Sequence, residues 1–394
     1  MPATLPESSG LRSTSHLVRT EAAILLGLAS GVAALAHWSP VGPSNGVANV
    51  AWTAWLVAAI LACAFRAMSH ADELAERLGE PIGTILLTIS AITIEIAAVS
   101  AMMIGSRADN TIARDTMFSV LMLILNLLLG AAMIAGGLRR TEQEFNAQST
   151  AAYLPLVIAL ATLTLILPRF TTSEEGGWMS DPMQAFVGVA SLVIYGVFLA
   201  MQTTRHREFF AYHGHSERAA DTESLAESIG EGSSATHPSL GLTIALLVTS
   251  LVAVVAIAEG LAGRVRSLLH ASGVPGAIGG VFIAALVLAP EGLAALRAAR
   301  RDDMQRSVNI LLGSALSTIG LTVPAVLAVR ALTGKDLELG LEAPYIVLLS
   351  LTFLVSAVSL ARGRVNMIQG IIHLLITLAW VMTIYDDALP PELP

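Results

Sequence analysis

From about residue 20 to residue 385 the chain is a succession of apolar runs separated by short polar breaks. The pattern predicts spans at 20–37, 49–67, 82–105, 114–137, 151–168, 182–203, 239–262, 274–298, 305–330, 343–361 and 366–385. Runs of about 20 apolar residues are long enough, as helices, to cross a hydrocarbon core of roughly 30 Å. The stretch AAYLPLVIALATLTLIL stays apolar throughout, whereas a barrel strand would alternate apolar and polar over about 10 positions. The expectation is an all-α polytopic membrane protein with eleven transmembrane helices.

Composition agrees: 54% of residues are hydrophobic and 13% charged, with a mean hydropathy of +0.70. The net charge of -8 resides mainly in one loop, the tail and a few helix positions. No basic face suits a nucleic acid, so the expected surroundings are a lipid bilayer and small inorganic ions. Cys63 is the single cysteine, which excludes an internal disulfide and reads as a small apolar filler. The first twenty residues lack a short apolar core followed by a small-residue cleavage site, and read as an uncleaved cytoplasmic tail. With the N-terminus inside and the C-terminus outside, 15 of the 22 basic residues fall on cytoplasmic segments, as the positive-inside rule favours.

The longest polar stretch, residues 204–238, divides the chain. The predicted units are a tail and extra helix (1–48), a first five-helix repeat (49–203), an acidic, histidine-containing loop (204–238), a second five-helix repeat (239–385) and a short tail (386–394). Five is odd, so two such halves enter the membrane from opposite sides, the inverted-repeat plan of many secondary transporters. Ser119 follows Glu95 by 24 residues, and Ser314 follows Glu291 by 23. The two carboxylates thus occupy corresponding positions.

A charged carboxylate at bilayer depth costs about 2.5–3.5 kcal/mol on insertion scales for Asp and normally marks an ion or proton pathway. Thr84, Thr88, Ala91, Glu95, Ala98 and Met102 recur at helical spacing, which puts two hydroxyls and the acid on one face. The plainer alternative is a protonated Glu95 bonded within the bundle, its threonines satisfied by their own helix. Pro290 immediately before Glu291 predicts a kinked or interrupted helix with freed carbonyls beside the acid. Gly292 would allow a neighbouring backbone close by. Ser119 and Asn126 in the fourth span, and Ser314, Ser317 and Thr318 in the ninth, add neutral oxygens, with Gly313 and Gly320 allowing close approach. Small hydroxyl residues also serve as ordinary helix-packing groups.

Two acids with hydroxyl, amide and carbonyl oxygens, without thiolates or paired histidines, suit hard cations such as Ca2+, Na+ or K+. If cation and proton compete for Glu95 and Glu291, and the empty charged site cannot cross, obligate exchange results. The expectation is an antiporter with no resident cofactor. Glu259 near the outer end of the seventh span reads either as a vestibule acid or as a peripheral carboxylate near Arg264. His373 reads as a packed, hydrogen-bonded histidine, and residues 69–81 as a short charged cytoplasmic helix. The acids and histidines of the 204–238 loop read as a solvated linker rather than a regulatory cation site. No metalloprotease, aspartyl, serine-hydrolase or phosphate-loop motif supports an intramembrane enzyme, and inverted halves suit alternating access better than a channel.

The stretches LGEPIGTILLTISAITIEIAAVSAMM and LAPEGLAALRAARRDDMQRSVNILLGSALSTIGLTVPAV resemble the calcium/cation antiporter superfamily. Within its proton/cation exchanger branch they are similar to the bacterial ChaA-type antiporters. The resemblance implies a multi-pass inner-membrane exchanger in which Glu95 and Glu291 carry cation and proton alternately, with Ser314, Ser317 and Thr318 as the polar wall of the second repeat. Ca2+/H+ exchange is the first expectation. The departure is that calcium exchangers of the branch carry motifs like Gly-Asn-Ala-x-Glu, whereas Ala91 and Ile92 precede Glu95 here, and Ala289 and Pro290 precede Glu291. Losing those amide oxygens leaves Na+/H+ or K+/H+ exchange as the alternative.

Overall fold

The computed structural model describes residues 9–36, 46–78, 110–172, 174, 176–203, 239–271 and 276–387, and between them Ser90, Ile92, Thr93, Glu95, Ile96, Val99, Ser100 and Met103. In chain order these form α1 (Ser9–Leu35), α2 (Gly46–Leu78), α3 (Ile112–Met122), α4 (Leu129–Gly137), β1 (Gln143–Glu144), α5 (Ala147–Ala161), α6 (Asp181–Thr203) and α7 (Leu240–Ala271). Then follow α8 (Gly276–Val287), α9 (Ala289–Arg300), α10 (Met304–Ser317), α11 (Val323–Thr333), α12 (Ala343–Leu360), β2 (Arg364–Val365) and α13 (Met367–Asp387). Helices dominate because lipid offers no partner for exposed backbone groups.

Among the described residues, eight helical spans are long and apolar enough to cross a membrane, and α8 with α9, bent by 58°, makes a ninth if the pair is taken as one span. The expected first span appears as a shorter apolar helix, Glu21–Leu35, and most of the expected 82–105 span lies outside the described residues. The break between α8 and α9 falls at Leu288, directly before Pro290, as the proline predicted. One expectation is corrected: residues 69–78 are no separate helix, because α2 runs unbroken from Gly46 to Leu78. No glycine or proline interrupts that stretch, and its charged end is made of good helix formers with a Glu73–Arg77 pair one turn apart.

Two spans change helical pitch at mid-depth. A π-helical turn, Leu123–Leu128, joins α3 to α4, and another, Thr318–Thr322, joins α10 to α11. These are also the most enclosed spans: 78% of the apolar stretch of Ile112–Gly137 is buried and 61% of Met304–Thr333, against 28% for Asp181–Gln202. The two wide turns therefore lie in the most enclosed spans, whereas α6 is among the least enclosed.

The apolar interior forms two clusters. One joins α1, α2 and α7 through residues such as Ala34, Leu56, Cys63 and Ile257, and the other unites the remaining helices. Cys63 is the buried filler expected. Helix α1 crosses α7 on small residues: a Cβ at Gly31 would stand 2.8 Å from that of Ala256 and 3.3 Å from the Ile257 nitrogen. Such stripes let helix backbones approach closely in lipid.

Matched polar seams close the two ends. At one, β1 pairs antiparallel with β2, Gln143 Nε2 donates to the Ala299 carbonyl at 2.8 Å, and the Asn146 N–H donates to Gln305 Oε1 at 2.6 Å. At the other, Arg114 Nη1 donates to Glu338 Oε1 at 3.0 Å, while the Gly340 and Leu341 N–H groups donate to the Gly177 and Leu165 carbonyls.

Candidate ion-binding site

The site begins with the π-helical turn of the ninth predicted span. A π turn widens the helix and frequently occurs at functional sites. Thr318 and Thr322, four residues apart at its two ends, are both fully buried. Thr318 Oγ1 donates to Glu95 Oε2 at 2.8 Å, and Thr322 Oγ1 donates to Glu95 Oε1 at 3.2 Å. The carboxylate of one half is thus held by two hydroxyls of the other. Each oxygen keeps further lone-pair capacity, because a carboxylate accepts at about four positions.

Glu95 is only 7% exposed. A buried carboxylate held by two neutral donors still carries its net charge, and that charge is costly until a cation or proton offsets it. Glu291 lies in the first turn of α9, where the helix dipole favours negative charge. Its Oε2 is buried without a hydrogen-bond partner among the described residues. The structure therefore shows one carboxylate oriented by two hydroxyls and, at the start of α9, one buried carboxylate oxygen without a partner among the described residues.

Several expected members take other places. Asn126 is fully buried in the first π turn, but its amide serves a different cluster: Nδ2 donates to Thr352 Oγ1 at 2.9 Å, and Oδ1 lies 3.3 Å from His373 Nδ1. His373 is, as expected, packed and hydrogen-bonded. Ser317 Oγ donates to the Ser314 carbonyl at 2.9 Å, so its hydroxyl is spent on its own helix. Ser119 is buried in α3 and Ser314 half-buried in α10, neither with a hydroxyl bond to the acids. Glu259 is exposed on α7. Thr84 and Thr88 lie outside the described residues.

The glycines also differ from expectation. A Cβ at Gly292 would meet Leu128 at 2.8 Å, so α9 approaches a side chain of the first π turn rather than a backbone. Gly320 admits the Tyr195 side chain, whose ring and Cβ stand about 3.0 Å from where a Cβ would be, whereas Gly313 has only an ordinary contact with Tyr153. Thr322 is the residue that sequence reasoning missed. Its signal was the four-residue spacing from Thr318, which repeats a hydroxyl on one face just before Pro324.

With this geometry in hand, comparison with known proteins is informative. The sodium/calcium exchanger protein family matches the chain twice, over residues 48–204 and 242–385. The chain belongs to the sodium/calcium exchanger family. Within it, the putative ionic transporter y4hA of Sinorhizobium fredii is 36% identical over 353 residues, covering 89% of this chain and 92% of that protein. The sodium-potassium/proton antiporter ChaA of Escherichia coli is 34% identical over 326 residues, covering 83% and 86%. The solved structure of native YfkE superimposes with a TM-score of 0.65 at 18% identity, covering 92% of this chain and 99% of that one. At that identity the likeness speaks for the exchanger fold alone.

Proposed function

We propose that this protein is a secondary active cation/proton antiporter of a bacterial membrane, in which cation and proton compete for Glu95 and Glu291. The observation that carries the reading is the grip of Thr318 and Thr322 on the buried Glu95, taken with the unpartnered buried oxygen of Glu291. Unoccupied, the site holds uncompensated charge in a low-dielectric interior, which penalises crossing between access states. Loaded with one Ca2+, or with a proton or monovalent cation for each charged acid, it is neutralised and crosses. Obligate exchange follows, and transport rather than enzymatic turnover is the activity.

The reading takes the architecture to be eleven spans, with inverted repeats 49–203 and 239–385, the N-terminus cytoplasmic and the C-terminus outside. Three observations support the repeats: the family matches two segments of nearly those bounds, both central spans carry a π turn, and the seams at the two ends are alike. In one, the 138–146 connection meets 299–305 and 363–365; in the other, the 338–341 connection meets 110–114, 165 and 177.

We assign Na+ or K+ as the first cargo. The amide positions before both acids are replaced, by Ile92 among others, and the relative ChaA is named a sodium-potassium/proton antiporter. Ca2+ is the second reading. It is favoured by the paired carboxylates, because Ca2+ takes six to eight oxygen ligands and prefers charged ones, and YfkE is named a Ca2+/H+ antiporter.

The test uses proteoliposomes containing a pH indicator under an imposed proton gradient. Na+, K+ and Ca2+ are added separately, with Glu95→Gln and Glu291→Gln as comparisons. Cation-driven proton movement that either substitution abolishes is the expected result, and its rank order names the cargo. Folded protein that moves no protons with any of the three ions refutes the proposal.

A further inference from the structure

Outside the acid pair, the basic end of the bundle carries a second site. Where α4 ends and α13 begins, Gly137, Leu138, Arg139, Arg140, Thr141 and Glu142 form one wall of a pocket of about 500 Å³, and Asn366, Met367 and Ile368 form the other. The walls are locked together. A Cβ at Gly137 would stand 3.0 Å from the Met367 nitrogen, so the end of α4 abuts the first residue of α13.

The chemistry of the pocket is mixed. Arg139 and Arg140 are both exposed. Arg139 spends Nη1 on the Arg300 carbonyl at 3.0 Å, and Arg140 spends Nε on Asp302 at 3.2 Å. Most of their guanidinium donors are left over, since each group carries five. The N-terminus of α13 borders the same pocket but is closed by its own cap, the Asn366 side chain accepting from the N–H groups of Ile368 and Gln369. The one acid in the wall, Glu142, lies 3.8 Å from Arg364. Around this cationic floor the lip is apolar: Leu138 is 73% exposed, Ile368 67% and Met367 38%. All three stand at the ends of membrane spans.

Two guanidiniums with donors to spare recognise a phosphate. An exposed apolar lip at the edge of a membrane span adds acyl chains to that demand. We infer that this pocket binds the phosphate headgroup of an anionic phospholipid, with Arg139 and Arg140 holding the phosphate while Leu138 and Ile368 lie along the lipid tail. The bilayer is the source favoured over free phosphate, which has no use for the lip. The inference requires only that the chain spans a membrane, so it stands or falls separately from the antiport reading.

Native mass spectrometry of the purified full-length protein, titrated with phosphatidylglycerol or phosphatidylcholine, tests it. The expectation is phosphatidylglycerol occupancy at about tenfold lower lipid concentration, in keeping with the attraction contributed by two surface arginines. The Arg139→Gln/Arg140→Gln double variant should lose that preference with an unchanged melting temperature. Arg306→Gln, which alters an exposed basic residue near the start of α10 outside the pocket walls, should keep it. Equal binding of the two lipids by the unmodified protein overturns the inference, as does a preference that survives the double variant. Displacement of phosphatidylglycerol by millimolar inorganic phosphate overturns the assignment to lipid.

Discussion

Replacing Thr318 by valine tests the central geometry at one atom. Valine has nearly the shape of threonine, so the packing of this fully buried position is kept while the hydroxyl that donates to Glu95 Oε2 at 2.8 Å is lost. A hydrogen bond to a charged group contributes about 1.5–3 kcal/mol, and the short length places this one well inside that range. The bond favours Glu95 in its charged form, which is the form that binds a cation. At fixed pH the cation concentration for half-maximal exchange should therefore rise by about tenfold or more, each 1.4 kcal/mol being a factor of ten. Thr322→Val, which loses the longer 3.2 Å bond, should act in the same direction by less. Ser317→Ala removes a hydroxyl already bonded to its own helix and should stay within about twofold, as expected where no interaction with the ion is removed. The assay is cation-driven proton movement in proteoliposomes over a cation titration. Half-saturating concentrations equal in Thr318→Val and unmodified protein would refute the argument that this hydroxyl supports the charged acid.

Two further outcomes follow from the packing. Asn126→Leu removes the amide that donates to Thr352 and faces His373, while Thr352 keeps its bond to the Leu348 carbonyl, so stability should fall by about 1 kcal/mol, the net worth of a hydrogen bond, read as a lower melting temperature in detergent. Gly31→Ala drives a methyl into Ala256 and the α7 backbone and should lower the melting temperature by the equivalent of about 1–3 kcal/mol, as overpacking does. Gly196→Ala, whose new Cβ meets nothing within 4 Å, should leave it unchanged or raise it, since alanine favours a helix by about 1 kcal/mol over glycine. Equal responses at the two glycines would show that the α1–α7 crossing is not close.

Much of this protein was legible in its residues. Apolar runs at membrane length named the solvent and the helices. Pro290 announced the break before Glu291, since a missing N–H and a ring clash act within one turn. The acids stood out because lipid makes any carboxylate at depth conspicuous, and Thr318 was reachable as a neutral oxygen in the helix after Glu291. Asn126 misled because a buried amide serves any neighbour with a matching donor or acceptor, and nothing local distinguishes an acid from Thr352 and His373.

What the sequence by itself determined is therefore what one helix can encode: length, apolarity, the interruption at a proline, and which side chains share a face. Which face meets which was decided by the tertiary structure. The bond between Thr318 and Glu95 joins residues 223 positions apart, and α1 finds α7 through Gly31 and Ala256. A period of 3.6 residues sets how side chains are distributed around one axis. The rotation and depth of a second axis against it depend on the summed packing of all the other helices, here including three π turns among the described residues whose widened pitch no residue pattern announced.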